Sequence, residues 1–450
     1  MKDAIARTGD KITVPATISL PEAVNVLRNQ IEYENKEVSI SETLNGCYWD
    51  GARAFYIAMT EKFGWVHGQI DRGMWGEKIY PEFTSIPSGV NSTELVPSGK
   101  FQVPGIEGVL QTSYNKDHRG VVRFVINAVV KRRHEEDIRD LADRARKILA
   151  TRSLYRGKAI RVRFTNDGRD IPLMQPEFMD VSGATESALV LPDKIHDAVH
   201  TSVFTPIKST EMCRKHGIPL KRGVLLAGLY GTGKTMTAYV AANLAEKHGW
   251  TFLYCERAEE LSDTVRFAMQ YQPAIIFCED IDQVLSGDRS VDMNDILNII
   301  DGIESKGMEI MTVLTTNALE SINPAMLRPG RLDAVINFTA PDAVAAARLV
   351  RQYARDTMDH DTDLTAAGEI LAGKIPAVIR ECVERAKLSQ IKLGVGEHMK
   401  ITGEAVADAA SQMTLQLDLL NRKDEAPSAN EALGAALRSV VTEAVTEANS

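Results

Sequence analysis

One stretch constrains this chain more than any other: Gly228-Leu229-Tyr230-Gly231-Thr232-Gly233-Lys234-Thr235. The apolar run 223–227 precedes it and helix-forming residues 236–247 follow it. Strand, glycine-rich loop and helix, in that order, make the setting that a phosphate-binding P-loop needs. Glycines let the backbone curl until several N–H groups face one point, and the helix adds the positive end of its dipole there. Lys234 would reach the β- and γ-phosphates of a nucleotide, and the Thr235 hydroxyl would ligate Mg²⁺. A glycine-rich turn can match this pattern by chance, but seldom with a strand before it and a helix after it.

The chain beyond this loop extends the same α/β pattern. Residues 250–255 read as a strand and 261–271 as a helix, and Pro273 introduces the apolar strand Ala274-Ile275-Ile276-Phe277-Cys278. Alternating strands and helices imply a parallel sheet covered on both faces, with reactive residues at the carboxyl ends of its strands. The apolar strand ends in Glu279-Asp280-Ile281-Asp282. An acid pair there suits a Walker B element, in which one carboxylate holds the metal, usually through water, and the next polarises the attacking water. By position Glu279 takes the metal role and Asp280 the water-activating role. Residues 309–314 form another strand, leading into Thr315-Thr316-Asn317. An asparagine at that strand end can orient the water or touch the γ-phosphate. Then comes Leu327-Arg328-Pro329-Gly330-Arg331, where two arginines three apart, fixed by Pro and Gly, suit contact with a phosphate. They lie too far along the fold to meet their own P-loop easily, so supply by a neighbouring subunit is the better geometry.

Together these elements resemble the AAA family of ATPases, over about residues 189–392. The resemblance implies a P-loop NTPase core (186–340) with an α-helical lid (341–422), acting with ATP and Mg²⁺ as an ATPase. It implies nucleotide contacts from Gly228, Tyr230, Gly231, Thr232, Gly233, Lys234, Thr235 and Met236, and metal contacts from Thr235 and Glu279. It implies Asn317 as sensor 1, and Arg328 and Arg331 as fingers inserted from the next subunit of a homo-oligomeric ring, usually a hexamer. Lys234, Glu279 and Asp280 complete the catalytic set. Arg380 is either a second sensor or a helix-surface arginine. Three departures sharpen the reading. The order Glu279-Asp280 reverses the common Asp-Glu and is similar to that of the AAA group that translocates the Rieske iron–sulfur protein in mitochondria. The run His216-Gly217-Ile218-Pro219 is also similar to that group, but its membrane helix has no counterpart here, so neither the compartment nor the substrate carries over. Residues 256–272 lack the aromatic–apolar–glycine triplet with which threading unfoldases grip a peptide, so remodelling of a folded partner, or a clamp-like switch, fits better. Leu229 and Tyr230 stand where the family commonly has two prolines, which loosens the loop and puts an aromatic ring beside the phosphates.

Residues 1–185 read as an α+β N-terminal domain for an unknown protein substrate or adaptor. Helices are expected over 21–34, 51–63 and 133–151, a hairpin over 108–114 and 121–130, and a strand over 158–164. The Ser-, Pro- and Gly-rich stretch 81–104 reads as a loop or linker. Trp49, Trp65 and Trp75 cluster in sequence, as a ligand platform or as the core of a small domain. His134-Glu135-Glu136-Asp137-Ile138 begins like the HExxH zinc motif but has Ile138 where the second histidine belongs, so that metal pair cannot form. Residues 423–450 read as a linker and a tail helix over 432–448.

The formal net charge of −9, with 52 basic and 61 acidic residues, argues against a nucleic-acid-coated surface, and Lys131-Arg132-Arg133 reads as a solvated helix entrance. The five cysteines are scattered without CxxC spacing, which suggests neither a zinc site nor a disulfide framework and fits a reducing, cytoplasmic setting. No apolar run approaches the ~20 residues that span a bilayer, and the first residues carry no signal-peptide core. Three functions follow in order of fit: an ATP-hydrolysing ring motor acting on a protein, a nucleotide-gated oligomeric binding module with little turnover, and a nucleic-acid motor.

Overall fold

Alternation of apolar and polar residues builds the first layer of the molecule, an antiparallel sheet. The computed structural model describes residues 6–8, 11–15, 17–72, 75–76, 78–80, 82–116, 122–163, 176–281, 307–321, 332–392 and 399–424. A short ribbon pairs β1 (Ala6–Thr8) with β2 (Lys11–Thr13), and helix α1 (Leu20–Glu34) follows behind a Ser19–Glu22 capping box. Then come β3 (Glu37–Leu44), helix α2 (Tyr48–Phe63), β4 (His67–Gly68) and the two-stranded pair β5 (Asp71–Arg72) and β6 (Lys78–Ile79). The five-stranded sheet runs β3-β11-β10-β9-β4, with β9 at Lys100–Gln102, β10 at Gly108–Lys116 and β11 at Val122–Lys131. Helix α3 (Glu135–Arg152) buries Ile138, Leu141, Ala142, Ala145, Ile148 and Leu149, the i, i+3, i+4 stripe legible in the sequence. Those residues share a core with Phe55, Ala58 and Met59 of α2 and with Leu110, Phe124 and Ile126 of the sheet.

The stretch 81–104 is not a linker. It folds as a hairpin of β7 (Glu82–Gly89) and β8 (Ser92–Ser98), followed by β9. Proline breaks a ladder by withholding a donor, but each strand of a two-stranded ribbon has a free edge, and Pro87 and Pro97 are tolerated there. Ile86 and Val96 are fully buried and fix its inner face. The three tryptophans do not make one core: Trp49 is buried, whereas Trp65 and Trp75 are 54% and 90% exposed.

A second sheet carries seven strands in the order β13-β12-β15-β16-β17-β14-β18. Its members are β12 (Ala159–Val162), β13 (Glu177–Phe178), β14 (Arg222–Gly228), β15 (Thr251–Cys255), β16 (Ala274–Cys278), β17 (Ile310–Thr316) and β18 (Ala334–Phe338). The pairs β12–β15, β15–β16, β16–β17 and β17–β14 are parallel. β15, β16 and β17 are buried at every position, as expected of strands covered on both faces. The strand expected over 158–164 thus belongs to this sheet, as the parallel neighbour of β15, and not to the N-terminal one. The intervening helices are α4 (Asp193–Val199), a π-helical turn at His200–Phe204, α5 (Thr205–Lys208), α6 (Thr210–Lys215), α7 (Lys234–Lys247) and α8 (Leu261–Ala268). Beyond β18 the chain is helical: α9 (Ala343–Ala354), α10 (Thr365–Leu371), α11 (Pro376–Lys392) and α12 (Gly403–Asp424).

The chain divides into two compact units. The first comprises residues 1–185, 199–227 and 235–336. Its hydrophobic core is continuous from Leu44, Phe55 and Phe124 of the antiparallel sheet to Leu253, Ile276 and Leu314 of the parallel one. Hydrogen bonds tie the turn between β3 and α2, and the turn between α3 and β12, to the segment that leads into β16. The Cys47 N–H donates to the Tyr271 hydroxyl (2.9 Å) and the Gly46 N–H to Gln270 Oε1 (3.0 Å). The Arg156 guanidinium donates to the carbonyls of Gln272 (2.6 Å) and Gln270 (2.9 Å). The second unit comprises residues 186–198, 228–234 and 337–450, with a core that includes Leu349, Leu371, Ile379, Val383, Ile401 and Val406.

Candidate nucleotide site

The conformation of the glycine-rich loop explains its composition. Gly228 has φ +144°, and a Cβ there would stand 2.1 Å from the Phe338 carbonyl oxygen, so no side chain fits. Gly233 has φ +107°, and a Cβ on it would meet Leu191 Cδ2 at 3.2 Å. Lys234 is buried, and its ammonium donates to the Gly228 carbonyl and to the Leu229 carbonyl at 2.9 Å. The Thr232 hydroxyl donates to the same Leu229 carbonyl at 2.8 Å. The loop therefore closes on its own lysine, which holds a positive charge against the glycine-rich turn, and that charge fits a phosphate. Leu229 and Tyr230 are 70% and 67% exposed. Met236 is half-buried on the first turn of α7.

The acidic residues are held one by one. Glu279 follows β16 directly, and its Oε1 accepts from the Thr235 hydroxyl at 2.7 Å. Its Oε2 accepts from the Tyr254 hydroxyl at 2.6 Å. Asp280 adopts φ +46°, a left-handed conformation that Asp tolerates better than most residues. Its N–H donates to Thr315 Oγ1 at 3.0 Å, and the next N–H, from Ile281, donates to the Thr315 carbonyl at 3.0 Å. Its Oδ1 accepts from Asn317 Nδ2 at 2.7 Å. β17 lies between β14 and β16 in the sheet, and this order carries Asn317 to the side of the Asp280 carboxylate. Thr235, Glu279, Asp280 and Asn317 are thus brought together in bonded pairs. Arg328 and Arg331 lie outside the described residues, as does Asp282.

Other sequence candidates resolve as structure. Arg380 pairs with Glu384 at 2.9 Å on the surface of α11, the helix-surface alternative. Lys131 pairs with Glu37 at 3.4 Å, Arg133 pairs with Glu107, and Arg132 lies over the Tyr33 ring at 4.3 Å. Each residue of this short basic run has a contact within the N-terminal domain. Tyr271 is buried and serves packing. The five cysteines are buried, unpaired thiols. Among the described residues no helix is long and apolar enough to cross a membrane. Sequence reasoning passed over Tyr254. Its one signal is position: a hydroxyl-bearing residue near the carboxyl end of the strand beside the acid-bearing strand.

The fold and site define a nucleotide-binding α/β protein whose chain continues into a helical segment. Residues 224–340 match the family described as ATPase family associated with various cellular activities (AAA). The chain is 29% identical over 251 residues to the 26S proteasome regulatory subunit 8 homolog of Schizosaccharomyces pombe, covering 49% of this chain and 62% of that protein. It is 27% identical over 262 residues to the ATP-dependent zinc metalloprotease FtsH 3 of Conexibacter woesei, covering 54% and 33%. It is 27% identical over 241 residues to the Cell division cycle protein 48 homolog of Archaeoglobus fulgidus, covering 47% and 33%. The chain thus spans between a third and about three-fifths of the length of these relatives. It contains an AAA ATPase domain, and the family match leaves residues 1–223 and 341–450 outside it.

Proposed function

We propose that the chain is an ATP-hydrolysing ring motor that remodels or moves a protein partner. One observation carries the chemistry: two adjacent carboxylates held by different donors, Glu279 by Thr235 and Asp280 by Asn317. Adjacent acids with separate tethers support separate roles. ATP with Mg²⁺, when bound, supplies the γ-phosphoryl group. The backbone from Gly228 to Gly233 and the Lys234 ammonium bind its phosphates, and Tyr230 and Met236 flank them. Thr235 and, through water, Glu279 would hold the metal. Asp280 accepts the proton of the attacking water, and Asn317 keeps that carboxylate aimed through Oδ1. Arg328 and Arg331 of the neighbouring subunit stabilise the charge that develops.

In this reading residues 1–185 engage the partner, 186–340 form the ATPase core, 341–422 the lid, and 423–450 a linker and tail helix. The assembly is a homo-oligomeric ring, a hexamer by the family's habit, working in the cytoplasm. The names of the relatives, proteasome regulatory subunits and an ATP-dependent zinc metalloprotease, support a protein partner. The internally paired Lys131 and Arg133 give a nucleic-acid track no support. The segment 256–272 is a short 3₁₀ turn and α8, without an aromatic–apolar–glycine grip, which supports remodelling over threading.

Steady-state turnover tests the assignment. Lys234→Ala, Asp280→Asn and Arg331→Ala should each lower turnover by about 10²–10⁴-fold, the range for losing a charge-stabilising or proton-accepting group. Asp280→Asn should still bind ATP and capture the partner in a pull-down. Turnover like the native chain's in all three variants would sink the assignment. Negligible turnover in the native chain, together with ATP-dependent assembly, would favour a nucleotide-gated module instead.

A further inference from the structure

Glu279 is the centre of a bonded chain that reaches beyond the motif residues. Tyr254 and Phe277 are Cα partners across the parallel pair β15–β16, with ring centroids 5.7 Å apart. Glu279 stands two residues beyond Phe277, past the end of β16, so the long Tyr254 side chain can run along the strand end to meet it. The phenol donates to Oε2 at 2.6 Å while Thr235 donates to Oε1 at 2.7 Å. The carboxylate therefore has a fixed rotamer, with one oxygen on each hydroxyl.

The ring itself is held from behind. Tyr254 is only 7% exposed. Arg161, its Cα partner on β12, places a guanidinium 5.2 Å from the ring centroid. Arg161 forms an ion pair with Glu256 at 3.3 Å, and Arg163 holds the same Glu256 at 2.9 Å. A cation over the ring face adds a modest attraction and locks the ring's position.

We propose that Tyr254 is a positioning residue for Glu279, fixing this carboxylate for its divalent cation, and that Arg161 supports it through the ring. The inference rests on the nucleotide-site reading above and adds to it a residue that the loop and acid motifs do not contain. Hydrogen-bond partners of metal-binding groups set their orientation and basicity, and losing one costs about 10–100-fold in metal affinity or activity.

The experiment measures binding rather than turnover. A fluorescent ATP analogue is titrated onto the full chain in EDTA and then over a series of Mg²⁺ concentrations. Tyr254→Phe keeps the ring and removes the donor. Its Mg²⁺ midpoint should rise about 10–100-fold while analogue binding in EDTA stays that of the native chain. Arg161→Met keeps the phenol and should move the midpoint in the same direction by less. An unchanged midpoint in Tyr254→Phe would overturn the proposal. So would an equal loss of binding with and without Mg²⁺, since that marks general damage to the site. A native chain that binds no analogue at any Mg²⁺ concentration sinks the ATPase reading and this inference together, whereas native binding with an unmoved Tyr254→Phe midpoint sinks this inference alone.

Discussion

Asp50 carries a carboxylate where water hardly reaches, at 1% exposure. It is tied down well: the Ser153 hydroxyl donates to Oδ2 at 2.5 Å and the Leu154 N–H to Oδ1 at 2.9 Å. Burial still wins, and its pKa is raised, because these donors, with the Tyr271 hydroxyl and the nearby Arg53 charge, do not replace a full hydration shell. The sign of the consequence follows. A carboxyl that holds its proton more tightly folded than unfolded stabilises the fold fully below its unfolded pKa of about 3.8. That contribution disappears as pH rises through the raised folded value, at about 1.4 kcal/mol for each unit of the shift. Asparagine can still accept from the Leu154 N–H with no charge to bury, although the Ser153 hydroxyl, which already accepts from the Tyr155 and Arg156 N–H groups, cannot also accept from its amide. Asp50→Asn should therefore gain on the native chain as pH climbs from about 4, and hold a constant lead once the native carboxyl is ionised. Urea midpoints of both proteins across that range read the difference directly; a lead that shrinks with rising pH would show that the ionised carboxylate is favoured in place.

Helix α2 sets propensity against packing at one position. Gly51 lies inside the helix, where Ala is better by about 1 kcal/mol. A Cβ on Gly51 would stand 2.3 Å from Phe124 of β11, so the helix lies against the sheet only because that atom is missing. Overpacking costs about 1–3 kcal/mol, which exceeds the propensity gain. Gly51→Ala should lower the melting temperature of the first unit by several degrees, and an unchanged or raised one would mean that Phe124 yields freely. The same contrast between local and non-local forces explains what the sequence disclosed. The loop around Gly228, the buried strands β14 to β17 and the stripe on α3 are each written in residues close together, so periodicity and glycine placement reveal them. The hairpin β7–β8 reads as loop or linker in the sequence because its prolines say nothing about which strand edges will go unpaired. β12 was legible as a strand, but its partner β15 lies some ninety residues on, and four residues of alternation carry no address. In the site, Thr235, Glu279, Asp280 and Asn317 were found through their spacing from apolar strands. Tyr254 was not, since its role depends on which strand lies beside β16.

At the scale of the whole molecule, one chain holds the phosphate loop and the acids, while Arg328 and Arg331 are proposed to serve the neighbour's nucleotide. That division would make activity a property of interfaces. Turnover per chain should fall on dilution once the ring dissociates, and mixing variants tests the division more sharply. A Lys234→Ala chain cannot use its own loop but keeps sound arginines. An Arg331→Ala chain keeps a sound loop but presents a defective finger. Each alone should be nearly inactive. Mixed in equal amounts and allowed to exchange subunits, about a quarter of the interfaces should combine a sound loop with a sound arginine, by chance pairing around a closed ring. Turnover should then recover to about a quarter of the native level, less if neighbouring sites must fire together. Arginines acting within their own chain would leave the mixture as inactive as its parts, because no interface could then unite the two intact halves. A mixture that stays inactive while size-exclusion chromatography shows mixed rings would remove the shared site and leave the loop, the acids and Asn317 to work within a single subunit.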